Sequence, residues 1–212
     1  MKLSWANRIT ILRILLIVPF VSFMLKINDP DLMPGWRVAM RYLAIVIYLM
    51  MAVSDGVDGY LARTRGQVTR LGAFLDPIAD KLLITSACLL LASQRAAVDG
   101  FLLPPTVVVL IIGKDLFLLI GFVILYLITS QVRIHTVLVG KVATALQLSM
   151  VAAILIAPEV SLLITGWIWF LRVLWWSAAS AAILATLVYI RNGSRYIEEY
   201  ERNLDSSASD ES

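Results

Sequence analysis

A chain of 212 residues that is 60% hydrophobic and 16% charged, with a mean hydropathy of +0.85, has the composition of a membrane protein and not of a soluble or disordered one. The net charge of +3 comes without a basic stripe interleaved with aromatics, so nucleic acid is excluded as a partner and basic loops facing anionic membrane lipids account for it. The apolar runs are too long and too many for a signal peptide, and the lone Cys88 allows no intrachain disulfide and reads as a small core residue.

Residues 1–8, MKLSWANR, read as a short interfacial segment, with Lys2, Trp5 and Arg8 ahead of the first apolar run. A first span follows over residues 9–25, closed by the turn-rich NDPDLMPG. Arg13 sits one turn into it, where an arginine either snorkels to the interface or pairs with a phosphate. The second helix starts near Trp36, stays apolar through Val53 and delivers Asp55 and Asp58 at its end. A short link with Arg63, Arg65 and Arg70 leads to a third helix over residues 71–93. The fourth, residues 105–128, holds adjacent Lys114 and Asp115, read either as an intramembrane ion pair or as a polar wall of a substrate pocket. A loop with Arg133, His135 and Lys141 precedes a fifth helix over residues 142–157. His135 is the only histidine and reads as an interfacial polar residue rather than a nucleophile. The sixth helix, residues 167–190, carries Trp167, Trp169, Trp175 and Trp176, the outer ones fitting an interfacial belt. The expected fold is therefore an all-α integral membrane protein with six transmembrane helices. Its membrane domain covers residues 1–200, and residues 201–212 form a disordered polar tail.

The chemistry concentrates in SDGVDGYLARTRGQVTRLGAFLDPIADK, from Ser54 to Lys81. Asp55, Asp58, Asp76 and Asp80 lie beside or within apolar segments, where each carboxylate costs roughly 2.5–3.5 kcal/mol. Four together require a positive partner. On helices, spacings of three and four put each pair on one face. With no His or Cys nearby, an all-oxygen site suits hard ions, Mg²⁺ or Mn²⁺. Four carboxylates can bridge two such ions, an arrangement suited to in-line displacement at a phosphate. The chemistry implied is phosphoryl or phosphatidyl transfer.

The run Asp55-x2-Asp58-Gly59-x2-Ala62-Arg63-x8-Gly72-x3-Asp76-x3-Asp80 resembles the complete signature of the CDP-alcohol phosphotransferases, integral membrane enzymes that displace CMP from a CDP-linked alcohol. The resemblance implies that Asp55, Asp58, Asp76 and Asp80 hold two divalent cations, and that Asp80 also deprotonates the acceptor hydroxyl. It implies that Gly59, Ala62, Arg63 and Gly72 line the CDP site. The opening Asn7-x2-Thr10-x2-Arg13-x5-Pro19 is similar to that of bacterial members, whose first helix walls the nucleotide pocket, so Thr10 and Arg13 join the CDP-lipid site. A homodimer is also implied.

Within the family, the N-x2-T-x2-R start, LDPIADKLL and Gly140-Lys141-x2-Thr144-x2-Gln147 resemble the branch that joins CDP-diacylglycerol to glycerol 3-phosphate, giving phosphatidylglycerophosphate. Lys141, Arg133 and Arg191, with Lys114 deeper, are the cations placed to hold such an acceptor. That branch usually carries S-R-E in helix four, where this chain has Gly113-Lys114-Asp115. KDLFLLIGFVILY and KVATALQL are similar to the branch that makes cardiolipin with phosphatidylglycerol as acceptor, the alternative reading. A metal-gated transporter is the reading from another class, but no internal repeat supports it.

With six spans, the N-terminus, the links 63–70 and 133–141 and the C-terminus share one side. That side holds Lys2, Arg8, Arg63, Arg65, Arg70, Arg133, Lys141, Arg191, Arg195 and Arg202, against Lys26, Arg37 and Arg95 opposite. The asymmetry makes it cytoplasmic. The expected location is the cytoplasmic (inner) membrane, with both termini and the active site facing the cytoplasm.

Overall fold

The computed structural model describes the backbone of residues 5–65, 70–129 and 138–210, and the side chains of residues 8–54, 78–121 and 138–195. All regular structure among them is helical: α1 (Trp5–Met24), α2 (Pro34–Arg65), α3 (Arg70–Ala92), α4 (Pro105–Thr129), α5 (Leu138–Leu155), α6 (Ala157–Leu163) and α7 (Trp167–Asp210). Three stretches in the described residues are long and apolar enough to cross a membrane: Pro34–Ser54, Leu138–Leu155 and Trp167–Arg195. This is the length that a bilayer's hydrocarbon core requires.

Several boundaries differ from those expected. Helix α1 begins at Trp5, so part of the anticipated interfacial segment is helical. Helix α2 runs on to Arg65, which leaves Asp58 about two turns inside the helix instead of at its end. Leu61, Ala62 and Arg63 favour helix, and the glycines at 56 and 59 weaken it by only about 1 kcal/mol each. The expected fifth helix is split. Pro158 has no amide to give and its ring crowds the carbonyl four residues back, so α5 stops at Leu155 and α6 starts at Ala157. At the C-terminal end, α7 is helical through Asp210, across residues expected to form a disordered tail. The sequence YIEEYERNL explains this, because it lacks Gly and Pro and alternates good helix formers.

Helix α1 packs against α2 and α3, α7 against α4 and α5, and α3 and α2 close the bundle on α5. Phe20, Met24, Tyr48, Met51, Leu83, Ile84, Leu91, Ile111, Met150 and Ile154 form the core. Outward-facing apolar side chains such as Val18, Val46, Leu89, Val109 and Val173 are exposed, as lipid-facing positions must be. The turns at the end bearing Lys26, Asp99 and Glu159 are tied by polar contacts. Asn28 Nδ2 donates to Ala97 O at 2.8 Å, and Arg37 Nε to Leu32 O at 2.9 Å. Arg41 of α2 makes a two-point contact with Glu159 of α6, Nη1 lying 2.9 Å from Oε2. Tyr42 Oη donates to Glu159 Oε1 at 2.8 Å. The Arg41 guanidinium holds the Glu159 carboxyl below its usual value of 4.5.

Candidate active site

The spacing argument for paired carboxylates needs helix at both pairs, and the backbone supplies it. Helix α2 runs unbroken through Asp55 and Asp58, and α3 through Asp76 and Asp80. The side chains of Asp55, Asp58, Gly59, Ala62, Arg63, Gly72, Asp76, Arg133 and His135 lie outside the described residues. Among the described residues no cluster of three metal-ligating side chains occurs. Asp80 itself is described, and is partly buried. It follows the buried Ala79 and stands one turn before Leu83 and Ile84 of the core.

Three helices meet at this level. Tyr48 of α2 is buried and donates its hydroxyl to Leu148 O of α5 at 2.8 Å. The same tyrosine lies within electrostatic reach of Asp80 and Cys88 of α3. On α1, which packs on both α2 and α3, Thr10 is 0% and Arg13 1% exposed. Arg13 thus turns into the bundle, which removes the snorkelling alternative. Thr10, Arg13, Lys114 and Gln147 are the buried polar residues of the described set.

Lys114 is part of an ion cluster. Asp115 Oδ1 on α4 is 2.9 Å from Lys114 Nζ and 2.8 Å from Lys81 Nζ on α3. These are close ion-pair contacts, off-line for hydrogen bonds. Of the two readings of the Lys114–Asp115 pair, the ion pair is present. Lys81 extends it to the helix that carries the catalytic carboxylate candidates. Two lysines on one carboxylate leave one positive charge in excess.

At the start of α5, Gly140 faces the Tyr189 hydroxyl closely. A Cβ there would stand 2.8 Å from Tyr189 Oη on α7, so the glycine lets α5 approach α7 beside Lys141 and two residues from Arg191. Lys141 and Arg191 are both exposed. One turn and a half further along α5, Gln147 is completely buried. Among the described residues neither its Oε1 nor its Nε2 has a hydrogen-bond partner, an arrangement that costs about 1–3 kcal/mol per group. Sequence reasoning had no role for Tyr48, Lys81 or Gln147. Only Gln147 carried a signal, as the last residue of the Gly140-Lys141-x2-Thr144-x2-Gln147 segment.

The donor set fits hard divalent cations. Two helices carry aspartates at three- and four-residue spacing, and an all-oxygen set of carboxylates is the donor chemistry that such ions take.

The model of the family described as CDP-alcohol phosphatidyltransferase matches residues 3–189. A Bacillus subtilis (strain 168) protein is 33% identical over 153 residues, 71% of this chain and 75% of its own length. A chloroplastic protein of Oryza sativa subsp. japonica is 32% identical over 175 residues, 73% of this chain and 50% of its own. A Pseudomonas fluorescens protein is 39% identical over 112 residues, 52% of this chain and 50% of its own. This chain thus spans three quarters of the first and about half of the other two. All three are named as CDP-diacylglycerol--glycerol-3-phosphate 3-phosphatidyltransferases, the rice protein as number 1. A match over nearly the whole chain, including the helices that carry the paired aspartates, makes this protein a member of the CDP-alcohol phosphatidyltransferase family.

Proposed function

We propose that this protein transfers the phosphatidyl group of CDP-diacylglycerol to glycerol 3-phosphate, forming phosphatidylglycerophosphate and releasing CMP. The reading is carried by the unbroken helical backbone of α2 and α3 through Asp55, Asp58, Asp76 and Asp80, in a chain whose relatives bear that activity in their names.

Asp55, Asp58, Asp76 and Asp80 would hold two divalent cations, Mg²⁺ or Mn²⁺. When bound, these would supply Lewis-acid stabilisation of charge on the pyrophosphate. Gly59, Ala62, Arg63 and Gly72 line the CDP site, with Thr10 and Arg13 walling it from α1. The acceptor hydroxyl oxygen attacks the phosphatidyl phosphorus as Asp80 takes its proton. The new O–P bond forms while the P–O bond to CMP breaks. Lys141, Arg133 and Arg191, with Lys114 deeper, counter the acceptor's phosphate charge. The chain crosses the cytoplasmic (inner) membrane six times, with both termini and this site on the cytoplasmic side, and works as a homodimer among membrane lipids. Residues 1–200 make up the transferase domain.

One observation favours a second reading, phosphatidylglycerol as acceptor. A groove of about 360 Å³ between α4 and α7 is lined by Val109, Gly113 and Phe117, by Ile183 and Leu187, and by the nearly buried Lys114, an apolar setting with one cation that suits a lipid acceptor's chains and phosphate. The deciding experiment gives the purified protein CDP-diacylglycerol with each acceptor, with and without Mg²⁺ or Mn²⁺, and measures CMP and the lipid product. Cardiolipin from phosphatidylglycerol, with no phosphatidylglycerophosphate from glycerol 3-phosphate, would replace the first reading by the second.

A further inference from the structure

Gln147 has no role in the site as described, yet its position calls for a ligand. The buried face of α5 runs through Ala143, Gln147, Met150, Val151 and Ile154. The last three belong to the core, and Gln147 lies one turn nearer the end that carries Lys141. Its neighbour Leu148 accepts a hydrogen bond from the Tyr48 hydroxyl of α2. Helix α5 packs against both α2 and α3, the helices that carry the paired aspartates, so a buried amide there with both ends open fits a small polar ligand group.

The chemistry of that group follows from the amide, which offers an acceptor oxygen and two N–H donors and carries no charge. A phosphate only accepts and an ammonium only donates. A hydroxyl does both, and satisfies oxygen and nitrogen together. We propose that Gln147 binds the non-reacting hydroxyl next to the attacking one in a glycerol acceptor, and makes the enzyme selective for that vicinal diol. The inference rests on the transferase reading. It applies to glycerol 3-phosphate and to the head group of phosphatidylglycerol alike, since both present the same diol.

The test compares kcat/KM for CMP release by the full-length protein with each acceptor and with its counterpart lacking that hydroxyl: 3-hydroxypropyl phosphate, and phosphatidyl-1,3-propanediol. Wild type should prefer the diol by about 100-fold or more, as sites built around a substrate hydroxyl do. Gln147→Leu should shrink that preference at least about tenfold, and should melt no lower than wild type because it removes an unsatisfied buried amide. Gln147→Met serves the same purpose if the leucine variant does not fold. Retention of the full preference, equal loss on both members of a pair, or a rise confined to the CDP-diacylglycerol KM would each overturn the proposal. The last result would point to the cytosine base. Whichever acceptor supports CMP release decides the functional reading, and the ratio within its pair decides Gln147. If neither acceptor releases CMP in the wild type, both fall.

Discussion

Asp115 of α4 reaches Lys81 of α3 at 2.8 Å, joining the helix that carries Asp76 and Asp80 to its neighbour through a carboxylate that also touches Lys114 at 2.9 Å. The Asp115 and Lys114 side chains are 9% and 3% exposed. Removing the carboxylate therefore leaves the buried Lys114 without its counter-charge and the partly exposed Lys81 unpaired. Asp115→Asn should lower stability by about 3–5 kcal/mol, the usual result of breaking a buried pair from one side. Lys114→Met combined with Asp115→Leu should cost much less. Melting in detergent checks both, and equal losses would show that the cluster is held by packing and not by charge.

Tyr48→Phe deletes one hydrogen bond between α2 and α5 and little else. The expected loss is about 1 kcal/mol or less, measured by thermal melting. A larger loss would mean that the hydroxyl also supports the α3 side of the junction.

Asp80→Asn should damage chemistry more than donor binding. The amide keeps the shape but cannot take a proton, and loss of a general base lowers rate by about 10² to 10⁴. Steady-state CMP release at saturating CDP-diacylglycerol checks this. Normal turnover with collapsed donor affinity would leave Asp80 as a ligand only.

Lys141→Ala should raise the acceptor KM about tenfold while sparing the donor KM, because charge-assisted contacts to phosphate contribute roughly 1.5–3 kcal/mol. Initial rates with glycerol 3-phosphate varied at fixed donor provide the measurement. An unchanged acceptor KM would remove Lys141 from the acceptor site.

The far end of the bundle should respond to acid. Glu159 has its pKa lowered, first by the Arg41 guanidinium, so the clamp between α2 and α6 contributes fully above 4.5, the unfolded value. That contribution is lost as the pH falls through the depressed folded value. The melting temperature should drop over that window in wild type, and Glu159→Gln should flatten the drop. An identical pH profile in the variant would assign the acid sensitivity elsewhere.

Composition and long apolar runs were enough to establish helices in a membrane, because a bilayer admits no unsatisfied backbone and leaves a helix as the simplest answer. The family was legible as a resemblance carried by the whole run Asp55-x2-Asp58-Gly59-x2-Ala62-Arg63-x8-Gly72-x3-Asp76-x3-Asp80, while helix periodicity turns the separation of the aspartates into a shared facing direction. Helix ends were less legible. Helix α2 continued past the glycines at 56 and 59 to Arg65, beyond the end expected at Asp58, while Pro158 broke a helix expected to run through residue 157. Contacts between helices distant in sequence were not legible at all. That Lys81 of α3 joins the Lys114–Asp115 pair depended on how α3 and α4 meet. That Gln147 was buried without a partner depended on how α2, α3 and α5 close around it. One-dimensional spacing fixes which residues share a face of one helix. Which faces meet, and which polar groups they leave unmatched, is set by side-chain packing across the bundle.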